Sequence, residues 1–162
     1  MRWRPRRTAD TTMTSEDNPR VRVPPPLIFG GLLALGLVID SDPFRVGLAQ
    51  LAGVALAAAG LALIAISLGL FAGAKTRPEP WQPASTLVER GLYRFTRNPM
   101  YLGMALLSLG IALAFSSLPG ALLALAALVI IDRTVVTREE AYLTRRFGAD
   151  YIAYARRVRR WL

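Results

Sequence analysis

Four blocks of apolar residues divide the chain, with polar, arginine-bearing segments between them. The first, Leu27–Ile39, follows Pro24-Pro25-Pro26. It is short of the roughly 20 residues a bilayer crossing needs, and it approaches a crossing only if counted from Val23 to Asp40. The second, Val46–Ala74, is the longest and carries no charge, so it can cross with tilt or a projecting end. The third runs from Met100 to about Ser117. The fourth starts near Pro119, stays apolar to Ile131 and then meets Asp132 and Arg133. No Gly or Pro intervenes before Gly148, so helix can continue through Val135, Val136 and Glu140. No block alternates with a period of two, which argues against a β-barrel. A βαβ rhythm and a G-x-G-x-x-G between strand and helix are both absent, which excludes a soluble dinucleotide fold. The pattern predicts an all-α fold, an integral membrane helical bundle. Its four transmembrane helices fall at about 23–40, 46–74, 100–117 and 119–137, within one domain over 23–162. Small residues recur at Gly30/Ala34, Ala55/Ala59, Gly69/Gly73 and Gly110/Ala114. That spacing lets helices approach closely, and alanine-rich composition also produces it unaided.

The two ends are polar. Residues 1–22 are arginine-rich without an apolar core or cleavage site close behind, so they read as a disordered basic cytoplasmic tail rather than a signal peptide. Near the other end, Gly148 is expected to stop a helix and Asp150 to cap the next. Tyr151, Tyr154, Val158 and Trp161 then fall on one face and most of the arginines on the other. This predicts an amphipathic interfacial helix over about 150–161, its tyrosines anchoring in lipid.

Charge sharpens the picture. Twenty basic residues face eleven acidic ones, for a net charge of +9, yet mean hydropathy is +0.36. A basic chain this apolar points to a membrane and its anionic lipid headgroups, and away from nucleic acid. Lys75 is the only lysine, a usage that suggests a GC-rich bacterium and hence its inner (cytoplasmic) membrane. The basic residues number six in 1–22, one in 40–45, five in 75–99, none in 116–120 and eight from Asp132 onwards. This alternation predicts that both termini and the long middle loop are cytoplasmic. The oligomeric state is not readable.

Histidine and cysteine are absent. Disulfides, Cys/His zinc sites, a cysteine nucleophile and Ser-His-Asp mechanisms are therefore excluded, and no metal site is expected. Two segments stand out as candidate chemistry. The first, residues 75–103, is a long connection stiffened by Pro78, Pro80 and Pro83. Gly91 permits a turn there. Asn98-Pro99 looks like a helix start, whose free N–H groups suit an anion. The same loop also reads as a charged surface on headgroups, with Tyr93, Phe95 and Tyr101 as interfacial anchors. The second segment begins at Arg138 and carries the adjacent pair Glu139 and Glu140. With an ideal helical period, Asp132 shares the face of Glu139. These carboxylates can accept hydrogen bonds from hydroxyls or balance a cation, or they are a solvated helix end.

The sequence G-L-Y-R-F-T-R-N-P-M-Y-L-G (Gly91–Gly103) is followed by R-E-E-x-Y-L-x-x-x-F-G-x-x-Y-x-x-Y-x-x-x-V-x-R-W (Arg138–Trp161). Together they resemble the isoprenylcysteine carboxyl methyltransferase and phospholipid methyltransferase superfamily. The likeness covers residues 75–162. It implies an integral-membrane enzyme that uses S-adenosylmethionine without a Rossmann fold. It further implies cofactor contacts from Gly91, Tyr93, Arg97, Asn98, Pro99, Met100, Tyr101 and Gly103, and from the acidic pair Glu139 and Glu140. Eukaryotic carboxyl methyltransferases usually carry His where this chain has Asn98.

S-Adenosylmethionine chemistry is compatible with these residues. Arg97, Arg145 or Arg146 can pair with the cofactor carboxylate, and Glu139 or Glu140 with its amine or ribose hydroxyls. In-line methyl transfer needs alignment more than a strong acid, so a chain lacking His and Cys can perform it. Glu139, Glu140 and Arg145 are the candidate catalytic residues. The expected acceptor is a membrane lipid or small apolar molecule bearing a carboxylate, amine or thiol. Alternatives are an NADPH-dependent membrane reductase related to sterol reductases and a non-enzymatic module binding lipid or a partner.

Overall fold

Each apolar block becomes a helix in the computed structural model, which describes residues 23–77 and 84–162. The tail expected over 1–22 lies outside the described residues. Helix α1 (Pro25–Ile39) begins on prolines, whose missing N–H groups would have no partner in a first turn. Helix α2 spans Leu48–Gly73. A short 3₁₀ turn, Gly91–Arg94, precedes α3 (Pro99–Ala114). Helix α4 (Leu118–Ile131) is capped by Ser117, whose Oγ accepts from the Gly120 N–H at 3.0 Å. It runs without a break through a π-helical turn (Asp132–Val136) into α5 (Thr137–Phe147). Gly148, at φ +54°, separates α5 from α6 (Ala149–Arg157). The described residues are helical and contain no β-sheet, only one isolated bridge between Thr96 and Arg159.

Two helices are long and apolar enough to cross a membrane, α2 and the continuous helix Leu118–Phe147; α1 and α3 are apolar but shorter. The continuous helix has 30 residues, about 45 Å at 1.5 Å per residue, against a hydrocarbon core of about 30 Å. The charged residues begin at Asp132 and α5 is polar, so only the part before α5 is suited to a hydrocarbon core. Exposed Leu51, Val54 and Leu61 on α2, and Leu122, Leu125 and Val129 on α4, present surfaces suited to acyl chains.

Helix α3 is central, with α2 on one side and α1 and α4 on the other. Glycines make the α2–α3 seam. Gly53 and Gly60 face Gly110 and Gly103 so closely that a Cβ on any of them would meet the opposite backbone. Of the predicted small pairs, only Gly110/Ala114 lies in this seam; Gly30 and Gly69 face open space. A Cβ at Gly103 would stand 2.8 Å from the Gly60 carbonyl oxygen and 2.9 Å from the Ile64 side chain. Gly103→Ala is therefore expected to cost about 1–3 kcal/mol by overpacking, read as a lowered melting temperature in detergent. Gly30→Ala should leave that temperature unchanged or raise it.

The arginine-poor connections meet at one end of the bundle. The Asp42 N–H donates to the Phe115 carbonyl (2.7 Å), Gln50 Nε2 to Ser116 Oγ (2.7 Å), and Ser117 Oγ to the Gly36 carbonyl (3.1 Å). The arginine-rich segments 84–98 and 132–162 gather at the other end.

Two expectations for the C-terminal segment are corrected. Helix α6 stops at Arg157, and Val158 is extended, so Trp161 is not on its face. Tyr151, Tyr154 and Val158 do not face outward as lipid anchors. They are buried together against Leu87, Leu143 and Phe147, because segment 84–88 and α5 cover the apolar face of α6. Asp150 sits in the first turn, but no side-chain bond caps the helix.

Candidate functional site

The π-helical turn decides which carboxylates meet. A regular helix would set Asp132 and Glu140, eight residues apart, about 80° away from each other. A π turn holds roughly one extra residue and cancels that offset. Arg160 accordingly bridges both: its guanidinium lies 3.3 Å from Asp132 Oδ1 and 2.5 Å from Glu140 Oε2. The expectation that Asp132 shares a face with Glu139 is thus overturned by the inserted residue. Glu140 also pairs with Arg97 at 3.0 Å.

Glu139 points elsewhere. It lies in the wall of a cavity at the arginine-rich end, where the Tyr101 hydroxyl donates to its Oε1 at 2.6 Å. Burial pushes its carboxyl from an ordinary 4.5 up to about 7; the neighbouring Glu140 adds to the rise and the Tyr101 bond opposes it. The other walls come from α2 (Phe71), segment 84–88 (Leu87, Val88), the 3₁₀ turn (Tyr93), the start of α3 (Arg97, Asn98, Met100), α5 (Tyr142, Leu143) and α6 (Tyr151, Tyr154). Arg97 Nη1 donates to the Tyr151 hydroxyl at 3.2 Å, while its buried Nε has no partner among the described residues. Burial raises the phenols of Tyr93, Tyr151 and Tyr154 above their ordinary value, so they stay protonated at neutral pH.

Much of the predicted set converges here. Tyr93, Arg97, Asn98, Met100, Tyr101, Glu139 and Glu140 all line the cavity. Tyr93 and Tyr101 are buried and are not interfacial anchors; only Phe95 is exposed. Four predicted residues do not line the cavity. Gly91 turns the chain at φ +62° against the Leu70 side chain. Pro99 is buried at the start of α3, Gly103 belongs to the helix seam, and Arg145 is exposed on α5. Asn98 occupies the cap position without capping; its amide donates to the Arg160 carbonyl at 3.0 Å.

Sequence reasoning missed Tyr142, Leu143 and Arg160, and assigned Tyr151 and Tyr154 to lipid. Tyr142 carried a usable signal. It follows Glu139 by three residues and so shares its face. Its hydroxyl accepts the Ala84 N–H at 2.9 Å, fixing the loop as a wall. Arg160 stands in the quoted V-x-R-W, which marks the position without giving its role, since only the tertiary fold returns it to α5.

The described residues hold no group of acidic side chains able to bind a metal. What converges is a partly protonated carboxyl, an arginine with a spare donor, several aromatic faces and an apolar floor. That set suits a ligand with a cationic part, an anionic part and a flat apolar body. No curated protein and no solved structure gives a significant match. The family described as Phospholipid methyltransferase matches residues 48–150, from the first turn of α2 to the start of α6. The match takes in most of the cavity walls, the whole of the first segment singled out in the sequence and the first half of the second, and by it the chain belongs to the phospholipid methyltransferase family, a family of membrane methyltransferases.

Proposed function

We propose that the chain is an S-adenosylmethionine-dependent methyltransferase with four membrane-spanning helices. In this reading its acceptor is a lipid or small apolar molecule that enters sideways from the bilayer. The arginine-rich end faces the cytoplasm of a bacterium, both termini lie there, and the surrounding arginines rest on anionic headgroups. One observation carries the reading: Glu139 and the unpartnered Nε of Arg97 line the same aromatic cavity. The residues fit the cofactor. Arg97 suits its carboxylate, Glu139 its amine or ribose hydroxyls, and the tyrosine faces its sulfonium.

When bound, S-adenosylmethionine supplies an electrophilic methyl group. The chain's own contribution is alignment and exclusion of water. Glu139, held by Tyr101, and Arg97, held by Glu140 and Tyr151, fix the two polar ends of the ligand. Leu87, Val88, Met100 and Leu143 line the apolar part. Fixing donor and acceptor in line is the main source of rate in such a transfer.

Calorimetry on detergent-solubilised protein tests this. S-Adenosylhomocysteine should bind and NADPH should not; binding of NADPH alone would establish the reductase alternative, and binding of neither the non-enzymatic one. Lipid extracts incubated with methyl-labelled cofactor then identify the acceptor. Reporter fusions at residues 42, 85, 118 and the C-terminus should read out, in, out, in. A periplasmic signal at residue 85 would overturn both the topology and the site's access to cofactor.

A further inference from the structure

The last five residues do more than end the chain. Leaving α6 at Val158, the segment runs parallel to residues 96–98 as a clasp. The Arg97 N–H donates to the Arg159 carbonyl (2.9 Å), while Thr96 Oγ1 (3.1 Å) and Asn98 Nδ2 (3.0 Å) both donate to that of Arg160. Trp161 Nε1 donates to Asp132 Oδ1 at 3.0 Å, and its ring packs on the cluster containing Phe29 and Tyr101. Arg160 reaches Asp132 and Glu140 together, which the π-helical turn makes possible.

Glu139 and Glu140 are adjacent carboxylates at one cavity, and two equal claims on a cationic ligand would leave its position undefined. Arg160 resolves this. With Arg97 it occupies both oxygens of Glu140: Oε1 receives Arg97 Nη1 and Arg160 Nε, and Oε2 receives Arg160 Nη2. Glu139 receives only the Tyr101 hydroxyl among the hydrogen bonds of the described side chains. The same arrangement fixes Arg97, whose main chain is held by the clasp and whose side chain is held by Glu140.

We propose that Arg160 is a positioning residue of the ligand site, acting through Glu140 and Arg97, and that the clasp Val158–Leu162 is a working part of that site. This deepens the methyltransferase reading and rests on it. Arg160 keeps Glu140 paired, leaves Glu139 as the carboxylate that meets the ligand, and sets the charge felt there.

The groups that share the cavity with Glu139 are Tyr101 from α3, Tyr93 from the 3₁₀ turn, Tyr151 from α6, its neighbour Glu140, Arg97 before α3 and Arg77 after α2. Glu140 is the acidic neighbour among them, and Arg97 and Arg160 offset it. Removing Arg160 exposes Glu139 to more of the charge of Glu140, which pushes the Glu139 carboxyl further up.

The test is calorimetry with S-adenosylhomocysteine across pH 5–8 on the full-length protein, Arg160→Gln, Arg160→Lys and Trp161→Phe. Arg160→Gln should weaken binding on the order of tenfold at pH 7 and move the midpoint of the pH profile upward by roughly half a unit. Arg160→Lys, which keeps the charge, should restore the midpoint but not the full affinity. Trp161→Phe, which loses only the bond to Asp132, should keep the parental midpoint. If Arg160→Gln does not fold, Arg160→Lys carries the test through its affinity loss at an unchanged midpoint. A parental profile and affinity in Arg160→Gln, or in Arg160→Lys where only that variant folds, overturns the clasp's role. Failure of the parent itself to bind S-adenosylhomocysteine overturns instead the methyltransferase reading on which it rests.

Discussion

Replacing Glu139 by glutamine is expected to lower affinity for S-adenosylhomocysteine about ten- to a hundred-fold while sparing the fold, whereas Glu140→Gln damages the fold first. The two residues are neighbours in sequence and differ in every contact. Glu139 is half-buried at the cavity with one hydroxyl partner. Glutamine keeps its size and can still accept from Tyr101, so the loss is confined to a charge-assisted bond to ligand, worth roughly 1.5–3 kcal/mol. Glu140 instead holds Arg97 and Arg160, whose side chains are 16% and 34% exposed. Its neutralisation leaves Arg97 without its carboxylate and Arg160 with Asp132 alone. Breaking a fully buried pair costs about 3–5 kcal/mol; with Arg160 a third exposed, roughly 2–4 kcal/mol is expected. Thermal unfolding without ligand, set beside calorimetry, separates the two. Equal effects from both variants on both measurements would show that the pair is not divided as the ion pairs indicate.

That division was not legible in the sequence. At 3.6 residues per turn, Asp132 aligns with Glu139. One extra residue in the turn Asp132–Val136 moves the alignment to Glu140. Thr134 and Thr137 bond back to the carbonyls of Ile130 and Arg133, at 2.6 and 2.8 Å. Threonines do this in ordinary helices as well, so they did not announce the turn.

The helices themselves were legible, because apolar blocks separated by prolines and charge leave few alternatives. The two segments that carried the family resemblance do build one cavity. The medium covering each apolar face was not legible. An amphipathic pattern separates apolar from polar positions but is silent on whether lipid or protein lies opposite. The pattern makes lipid anchors of Tyr151 and Tyr154, yet Tyr154 donates its hydroxyl to the Tyr93 carbonyl at 2.8 Å inside the protein. The small residues show the same limit. Spacing by four picked out Gly30 and Gly69, which meet nothing, while the real seam uses Gly53/Gly60 and Gly103/Gly110, seven apart.

Affinity for S-adenosylhomocysteine is expected to rise with pH, by close to tenfold per unit below about pH 7, and to level off above it. The Glu139 carboxyl sits at about 7 in the folded protein against an ordinary 4.5, so at pH 6 it is mostly protonated. A ligand amine is cationic and prefers the carboxylate, so binding below pH 7 must release one proton, which fixes the slope at about one log unit per pH unit. The ligand's own carboxyl and amine keep their charges across pH 5–8. The chain has no histidine to confuse the profile, and Tyr93 and Tyr151 stay protonated because burial raises them. Folding without ligand carries the opposite sign. A carboxyl raised by folding contributes stability that is fully present below about pH 4.5 and is lost as pH rises through about 7. Ligand therefore protects most at the pH where Glu139 alone contributes least to stability. Calorimetry at pH 6 in two buffers of different ionisation enthalpy should count nearly one proton released per ligand, and almost none at pH 8. Glu139→Gln should flatten the profile and abolish the release. A flat profile in the parent, or affinity that falls with rising pH, would remove Glu139 as the ionised partner of the ligand's cationic group.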